Sequence, residues 1–283
     1  MHKIEVKYLE QRMFRKPVDK TLRIESPETW DELTRIQVES VAKVISMDVP
    51  LETQKTILFS ELSNIPMRVF SMLNEFQILS LYDCVDVFLG EPHLTKNHWP
   101  KVKGLVGPSD FFGNLIVDEF IEAEDYYFDY MEEARERYPD REKMESLLDL
   151  LIATLWREKD KMKDARSHNF TGDWRVPFSS YHVKNRAKKV EKISPAIRQA
   201  IFYYYEGSRR AMVDLNDALF GESDGSKESA DKETWIKMLG HLPNDKFGTL
   251  EKIGPKNLHT VFYFCNLFIQ DAKEQKRSSS ASD

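Results

Sequence analysis

Carboxylates recur along a predicted helix at a spacing that places them on one face. They lie four or three residues apart, at Asp118, Glu122, Asp125, Asp129, Glu132 and Glu136. This spacing follows the 3.6-residue period of an α-helix. Such a stripe could bind a divalent metal ion or carry out acid–base chemistry. A di-iron bundle would need Glu-x-x-His on facing helices, and that spacing does not occur in the sequence. We therefore predict a solvated or partner-docking face, and a metal-dependent enzyme with a carboxylate-lined site is the less favoured alternative.

Basic residues are concentrated farther along the chain, in a predicted helix over 182–191 and at the start of the next helix. The candidate phosphate-binding residues are Lys184, Arg186, Lys188, Lys189, Lys192 and Arg198. Because Lys and Arg can neutralise phosphates, this patch predicts nucleic-acid association as an alternative function. The patch lacks the interleaved aromatic residues that stack single-stranded bases and a helix-turn-helix signature. The favoured interpretation is that the acidic and basic regions attract one another, within one chain or between subunits of an oligomer; binding of the basic region to another protein is the next alternative, ahead of nucleic acid.

No motif in the sequence predicts a catalytic centre or a cofactor. The chain contains no Gly-x-Ser-x-Gly elbow, P-loop or Gly-x-Gly-x-x-Gly turn. The tightest histidine group is Glu91-x-His93-x4-His98, which matches no zinc-site spacing. Cys84 and Cys265 lie within apolar helical patterns, so we expect buried free thiols. We therefore expect a non-enzymatic protein without a bound cofactor.

Composition limits the class of protein further. The 283 residues are 41% hydrophobic and 31% charged, which is sufficient for a core with a well-solvated surface. The net charge of −6 gives no general attraction to nucleic acid. The first residues contain no apolar run typical of a secretory signal, and no apolar stretch approaches the roughly 20 residues of a membrane span. We expect a cytoplasmic protein with no membrane partner, or one incorporated into a particle assembled in the cytoplasm.

Hydrophobic periodicity predicts the fold class. Residues 4–9 and 21–25 alternate between apolar and polar, which predicts two short strands joined by a polar loop around Lys16-Pro17. Beyond them, apolar residues recur at helical spacing almost to the end of the chain. This spacing predicts, among others, a helix over 52–62 and a helix over 74–89 with Phe76 and Leu79 on its inner face. Residues 159–178 lack such periodicity and are predicted to form a long loop. Ser26-Pro27 and Ser109-Asp110 resemble helix starts. The predicted fold is mainly α, a multi-helix bundle with a short N-terminal two-stranded β element.

The predicted organisation has five parts. They are an N-terminal β-ribbon (1–25), a helical core domain (26–220), a flexible linker (221–230), a C-terminal helical segment (231–274) and a disordered tail (275–283). The linker and tail are predicted from their content of serine, glycine and charged residues.

Runs of aromatic residues are longer than one helical face can bury. They occur at 126–130, 202–205 and 262–264. Rings that fall outside the core-facing stripe favour contacts on a second side of the helix. This pattern indicates oligomerisation or another protein interface.

Three short strings carry a resemblance to known sequences. They are 26–34 (SPETWDELT), 148–157 (LDLLIATLWR) and 247–250 (FGTL). Together they resemble uncharacterised proteins encoded by bacteriophages and prophages of Bacteroidetes-type bacteria, some from tail and virion-assembly regions. The resemblance extends from about residue 26 to 270 and implies a tail assembly chaperone or a minor virion structural protein. It transfers no functional residue. We therefore predict a protein–protein interaction protein whose partners are phage structural proteins or further copies of itself.

Overall fold

The structure is a computed structural model that describes residues 1–12, 15–168, 170–216, 219 and 250–280. The chain forms two compact units. Unit 1 comprises Met1–His98 and Pro195–Gly207, and unit 2 comprises the described residues of Trp99–Ser194 and Ser208–Asp283. Helices dominate the described residues and a two-stranded antiparallel sheet lies at the N-terminus. The prediction of a mainly α fold with a short N-terminal β element is confirmed.

Ten α-helices are present in the described part of the chain. They are α1 (Arg35–Ile45), α2 (Leu51–Ser63), α3 (Met67–Phe70), α4 (Glu75–Asp86), α5 (Val117–Arg135), α6 (Arg141–Leu155), α7 (Val183–Val190), α8 (Pro195–Leu215), α9 (Leu250–Ile253) and α10 (Leu258–Ser280). Within this part, no helix is both long enough and apolar enough to cross a membrane.

The N-terminal ribbon follows from the period-two pattern of its sequence. Strand β1 (His2–Arg12) pairs with strand β2 (Arg15–Ser26) in an antiparallel register that places Val6 opposite Leu22. Because side chains alternate between the faces of a strand, Val6 and Ile24 share one face, and both are buried. Lys16 and Pro17, which were predicted to form a loop, lie within β2. A two-stranded sheet tolerates this proline because both of its strands are edge strands.

The first helix begins later than the sequence predicts. Ser26 pairs with His2 and ends β2, so it does not cap a helix at Pro27. The chain then forms a 3-10 turn before α1 begins after Thr34. The Thr34 hydroxyl accepts from the backbone N–H of Gln37, whose side chain accepts in return from the Thr34 N–H. This capping box fixes the start of α1.

The core of unit 1 is formed by the inner faces of its helices and by aromatic residues near them. Val38 and Val41 of α1 and Phe59 of α2 are fully buried. Trp30 packs edge-on against Tyr203 of α8, with ring centroids 5.5 Å apart. The Trp30 indole N–H donates to the backbone carbonyl of Val87 (3.1 Å), which satisfies its one polar atom.

Unit 2 contains a small three-stranded antiparallel sheet that the sequence did not reveal. Its strands, in the order β3–β4–β5, are Lys101–Val102, Leu105–Val106 and Arg157–Glu158. Each strand has two residues, which is too short to produce a detectable alternation. Only one residue, the buried Trp156, separates α6 from strand β5. The indole N–H of Trp156 donates to the backbone carbonyl of Trp99 (2.8 Å).

The long acidic helix also begins later than predicted. Ser109-Asp110 leads into a 3-10 turn, and α5 starts only at Val117. Phe111 and Phe112 have φ values of 50° and 56°, a left-handed conformation that cannot continue a right-handed helix. Phe112, within this break, and Val117, the first residue of α5, are both buried.

The C-terminal part of the chain is described from α9 onward. The predicted linker (221–230) lies outside the described residues, as do residues 231–249 of the predicted C-terminal helical segment. Helix α10 continues to Ser280, so it includes residues 275–280, which the sequence placed in a disordered tail. Cys265 of α10 is buried and free, as predicted, whereas Cys84 of α4 is only half-buried. Burial raises the pKa of Cys265 to about 12.

Candidate functional site

The predicted acidic face lies on the outer side of α5. Four of its six carboxylates are exposed and two are half-buried: the exposed residues are Asp118, Asp129, Glu132 and Glu136, and the half-buried ones are Glu122 and Asp125. Glu136 follows the helix in an extended conformation, so only the first five share its face. Partial burial raises the pKa of Asp118 and of Glu122. In the part of the chain that the structure describes, no three or more His, Cys, Asp or Glu residues are grouped so that they could hold a metal ion.

Three further carboxylates of α5 are buried, and the sequence analysis did not single them out. Each accepts from a basic side chain of unit 2. Glu119 binds Arg157 and Arg175, Glu124 binds Arg209, and Glu133 binds Lys143. The acidic helix is therefore anchored by its inner carboxylates, while its outer carboxylates are exposed or half-buried.

Glu119 is the centre of the most deeply buried group. Both Glu119 and Arg175 are fully buried. Arg175 donates through Nη1 to Oε1 of Glu119 (2.6 Å) and through Nη2 to Oε2 (3.3 Å), which is a bidentate pair. Arg157 donates through Nη2 to Oε2 of the same carboxylate (3.1 Å). One carboxylate thus joins β5 to the segment that carries Arg175.

Asp173 supplies the second negative charge of this group. Its Oδ1 accepts from Nε of Arg175 (2.8 Å) and its Oδ2 accepts from Nη2 of Arg157 (3.0 Å). Glu119, Arg157, Asp173 and Arg175 form a network of two anions and two cations, hereafter the arginine network, in which Asp173 is half-buried and the other three are buried. Its formal charges cancel, as a charge cluster in a low-dielectric interior requires.

The arginine network also fixes the backbone around it. Arg175 donates to the carbonyls of Leu155 (2.8 Å) and Asn114 (2.9 Å). Arg157 donates to the carbonyl of Val176. These bonds hold the irregular segment 159–178, which was predicted to be a long loop, against the ends of α5 and α6. The arginine network therefore holds in place a segment that has little regular structure of its own.

Electrostatic shifts in the arginine network have clear physical causes. Complete burial disfavours the charged form of Glu119 and raises the pKa of this carboxyl, against the opposing charges of Arg175 and Arg157. Burial also tends to raise the pKa of Asp173, but hydrogen bonds and charge from Arg175 outweigh it and lower that pKa. Burial lowers the pKa of Arg157. Both carboxylate oxygens of Glu119 accept hydrogen bonds from guanidinium groups. Glu119 therefore stabilises the fold of unit 2 and is not available as a general base.

The predicted basic patch is smaller than the sequence indicated. Arg186 is buried, donates to the backbone carbonyl of Ala153 (2.7 Å) and forms a salt bridge with Glu158 (3.2 Å). Burial lowers the pKa of Arg186. Arg198 is also buried and belongs to unit 1, whereas α7 belongs to unit 2. The prediction that these two arginines bind phosphate is therefore corrected, because neither guanidinium lies on the exposed face of α7.

The other four predicted bases are exposed. Lys184, Lys188 and Lys192 lie at four-residue intervals on the outer side of α7 and of the turn after it, which we call the lysine face. Lys189 is exposed as well, but its Nζ binds Glu158 (2.8 Å). Tyr181, in the turn that precedes α7, is 81% exposed. The lysine face therefore combines three positive charges with one exposed ring.

Unit 1 presents an exposed apolar face that the sequence analysis assigned to the core. Phe76 and Leu79 of α4 are 84% and 52% exposed, and Val87, directly after this helix, is 40% exposed. With the exposed Asp83, they lie at intervals of three and four residues and therefore share one side of α4, which we call the outer face of α4. The helical spacing of the apolar residues in 74–89 predicts Phe76 and Leu79 on the inner side of this helix, and the structure corrects that prediction.

The aromatic runs have different environments. Phe202, Tyr203, Tyr204 and Tyr205 are all buried, so this run gives no surface ring. In the run at 262–264 of α10, Phe262 is buried while Tyr263 and Phe264 are exposed. The expectation that aromatic runs extend beyond the core therefore applies to α10 and not to α8.

No protein-family model, no curated protein and no solved structure matches the chain.

Proposed function

We propose that this protein is a non-enzymatic protein–protein interaction protein. The observation that carries the proposal is the outer face of α4. A phenylalanine that is 84% exposed, followed one turn later by a half-exposed leucine, is an unusual surface for a chain with a well-filled core. Burial of these two side chains in a partner would contribute roughly 1.5–3 kcal/mol each.

The ionised groups of unit 2 support the same function. The buried carboxylates of α5 are engaged by arginine or lysine side chains. A carboxylate held in this way stabilises the fold and has no basic lone pair directed at a cavity. The resemblance of the sequence to phage and prophage proteins gives the proposal its context, which is the assembly of a tail or virion. A tail assembly chaperone and a minor structural protein would both act through surfaces of this kind.

The first test is an affinity pull-down from the cell that produces the protein, with mass spectrometry of the eluate. The variant Phe76→Ser/Leu79→Ser removes the apolar side chains of the outer face of α4. The matched control is Ile36→Ser/Met47→Ser, because these residues are also exposed and apolar but lie elsewhere in unit 1. We expect virion or tail components with the wild-type protein and the control, and their loss with the first variant. Identical eluates from all three proteins, or bait alone, would overturn the proposal.

A nucleic-acid-associated function is the second candidate, and the lysine face favours it. Lys184, Lys188 and Lys192 are exposed on one side of α7. Binding through them would be salt-dependent and nearly independent of base sequence. Fluorescence anisotropy with double-stranded and single-stranded oligonucleotides tests it, with Lys184→Glu/Lys188→Glu as the variant. Affinity that is unchanged by both salt and the substitutions would exclude this candidate.

A further inference from the structure

The outer face of α4 is acidic as well as apolar. Glu75 and Asp83, two turns apart on this helix, are both exposed beside Phe76 and Leu79. Lys55 forms a salt bridge with Asp86 (2.7 Å), whereas the side chain of Asp83, on the same helix, is exposed. The face therefore offers three exposed apolar side chains, those of Phe76, Leu79 and Val87, with the carboxylates of Glu75 and Asp83 beside them. A partner that fits it needs cationic groups and an apolar surface.

The lysine face of α7 has the complementary chemistry. Lys184 and Lys188 are one turn apart, about 6 Å along the axis of α7. Lys192 lies in the turn after the helix, next to the exposed Glu191. Glu75 and Asp83 are two turns apart on α4, about 12 Å along its axis, so two lysines one turn apart fit between them. Tyr181 provides an exposed ring at the end of the lysine face. The stems of lysine side chains can also cover apolar surface while their ammonium groups reach carboxylates.

We propose that the outer face of α4 in one copy of this protein binds the lysine face of α7 in a second copy. This inference rests on the proposed function, for which it names the partner. The two faces are different, so the contact is heterologous: each copy uses one face to bind the copy before it and the other to bind the copy after it. Such a contact builds a ring or an open chain of subunits instead of a closed dimer.

The contact is expected to be weak and sensitive to salt. Each face extends over only two or three helical turns, so the area buried per partner is smaller than the roughly 800 Å² of a standard interface. Exposed ion pairs contribute about 0.2–1 kcal/mol each. The Debye length falls from about 10 Å at 0.1 M salt to about 3 Å at 1 M. Self-association should therefore depend on protein concentration and decline as salt is raised.

The test is sedimentation velocity of the full chain over a concentration series. One variant, Phe76→Ser/Leu79→Ser, disables the outer face of α4, and the other, Lys184→Glu/Lys188→Glu, disables the lysine face. All four side chains are exposed, so the fold should be retained, and circular dichroism verifies this. The matched controls are Ile36→Ser/Met47→Ser and Lys101→Glu/Lys161→Glu, which make the same chemical changes at other exposed positions.

A heterologous contact gives a distinctive result when the two variants are mixed. Each variant alone should associate at least about tenfold more weakly than the wild type. The mixture should form a one-to-one pair and nothing larger, because one variant retains a working lysine face and the other a working outer face of α4. Wild-type protein and both controls should form larger species. A mixture that remains monomeric, or a wild type that is monomeric at every concentration, would overturn the inference.

Failure of this inference can be distinguished from failure of the proposed function. If the wild type is monomeric but the pull-down still yields a partner that Phe76→Ser/Leu79→Ser loses, then α4 binds another protein and only the self-association is excluded. If the lysine-face variant loses oligonucleotide binding while its self-association is unchanged, the lysine face of α7 binds nucleic acid and the inference is likewise overturned. If the wild-type protein neither self-associates nor captures a specific partner, the inference and the proposed function are excluded together.

Discussion

The arginine network allows a quantitative prediction about unit 2. Glu119 accepts three hydrogen bonds from guanidinium groups, at 2.6, 3.1 and 3.3 Å, and it is fully buried. Removing one partner of a buried ion pair costs about 3–5 kcal/mol, because the remaining charges stay buried without compensation. The variant Glu119→Gln keeps the shape and one acceptor oxygen, so we expect a loss near the lower end, about 3 kcal/mol.

Urea unfolding with hydrogen–deuterium exchange measured by mass spectrometry is the suitable assay. Peptide-level exchange reports unit 2 separately from unit 1, which a single spectroscopic probe of a chain with two units does not do. With a slope of about 2–3 kcal/mol per molar urea, the expected loss lowers the unfolding midpoint of unit 2 by about 1–1.5 M. Glu122→Gln is the control, since this half-buried carboxylate on the same helix has one long hydrogen bond, from Tyr126 (3.4 Å).

Two results would refute this reasoning. The first is a midpoint for Glu119→Gln that equals that of Glu122→Gln. The second comes from a double-mutant cycle with Arg175→Met. If the two residues act as one unit, the double variant should lose clearly less free energy than the sum of the single variants, by about 1–3 kcal/mol. Additive losses would show that Glu119 and Arg175 stabilise the fold independently of each other.

Two further predictions concern one site in each unit. In unit 2 the folded-state pKa of Asp173 lies below its ordinary 3.8, so its contribution to the free energy of unfolding is present above about pH 4 and is lost as the pH falls through the folded pKa. Asp173→Asn should therefore cost about 2 kcal/mol at neutral pH. Urea midpoints of the variant and the wild type, measured against pH, should converge in acid. In unit 1 a Cβ at Gly207 would lie 2.3 Å from the backbone N of Leu94, so Gly207→Ala should lower the free energy of unfolding by about 2 kcal/mol or more. A Cβ at Gly90 would have nothing within 4 Å, so Gly90→Ala should leave thermal unfolding of unit 1 nearly unchanged. Equal melting temperatures for the two alanine variants would contradict the close approach of Gly207 to Leu94.

Helices with strong local signals could be predicted to within one to three residues. Helix α2 was expected at 52–62 and spans Leu51–Ser63. Helix α4 was expected to begin at Asn74, which is its N-cap and forms a reciprocal capping box with Gln77. Asp140 likewise caps α6. These boundaries depend on side chains within one turn of the helix end, so the sequence contains the information that specifies them.

The two misplaced helix starts had equally clear local signals that other interactions overrode. Ser26 has a residue type and a following proline suited to an N-cap, but its backbone pairs with His2 in the ribbon. Ser109 precedes a helical pattern, but the positive φ angles of Phe111 and Phe112 interrupt it. A helix cap is worth about 1 kcal/mol, which strand pairing or aromatic burial can exceed. Such competition depends on residues that are not neighbours along this part of the chain.

The buried half of the acidic helix was the feature of the candidate site that sequence reasoning missed. A signal was present, because Glu119 and Glu124 lie on the same helical stripe as the buried Phe120, Ala123 and Tyr127. Carboxylates interleaved with core residues at helical spacing must either be paired or remain neutral. The pairing itself could not be deduced, since Arg175 is 56 residues from Glu119 and lies in a segment without periodicity.

Strand β5 connects the interior of unit 2 to its basic surface. Arg157 of this strand joins the arginine network, while Glu158, the next residue, forms salt bridges with Arg186 and Lys189 of α7. Successive side chains of a strand point to opposite sides, so one two-residue strand links both groups. Because Glu158 and the carbonyl of Ala153 hold the inner side of α7, its lysines at 184 and 188 are left to face outward. The same charge pattern that suggested nucleic acid thus divides in two: the arginines stabilise the fold, and the lysines remain available to a partner.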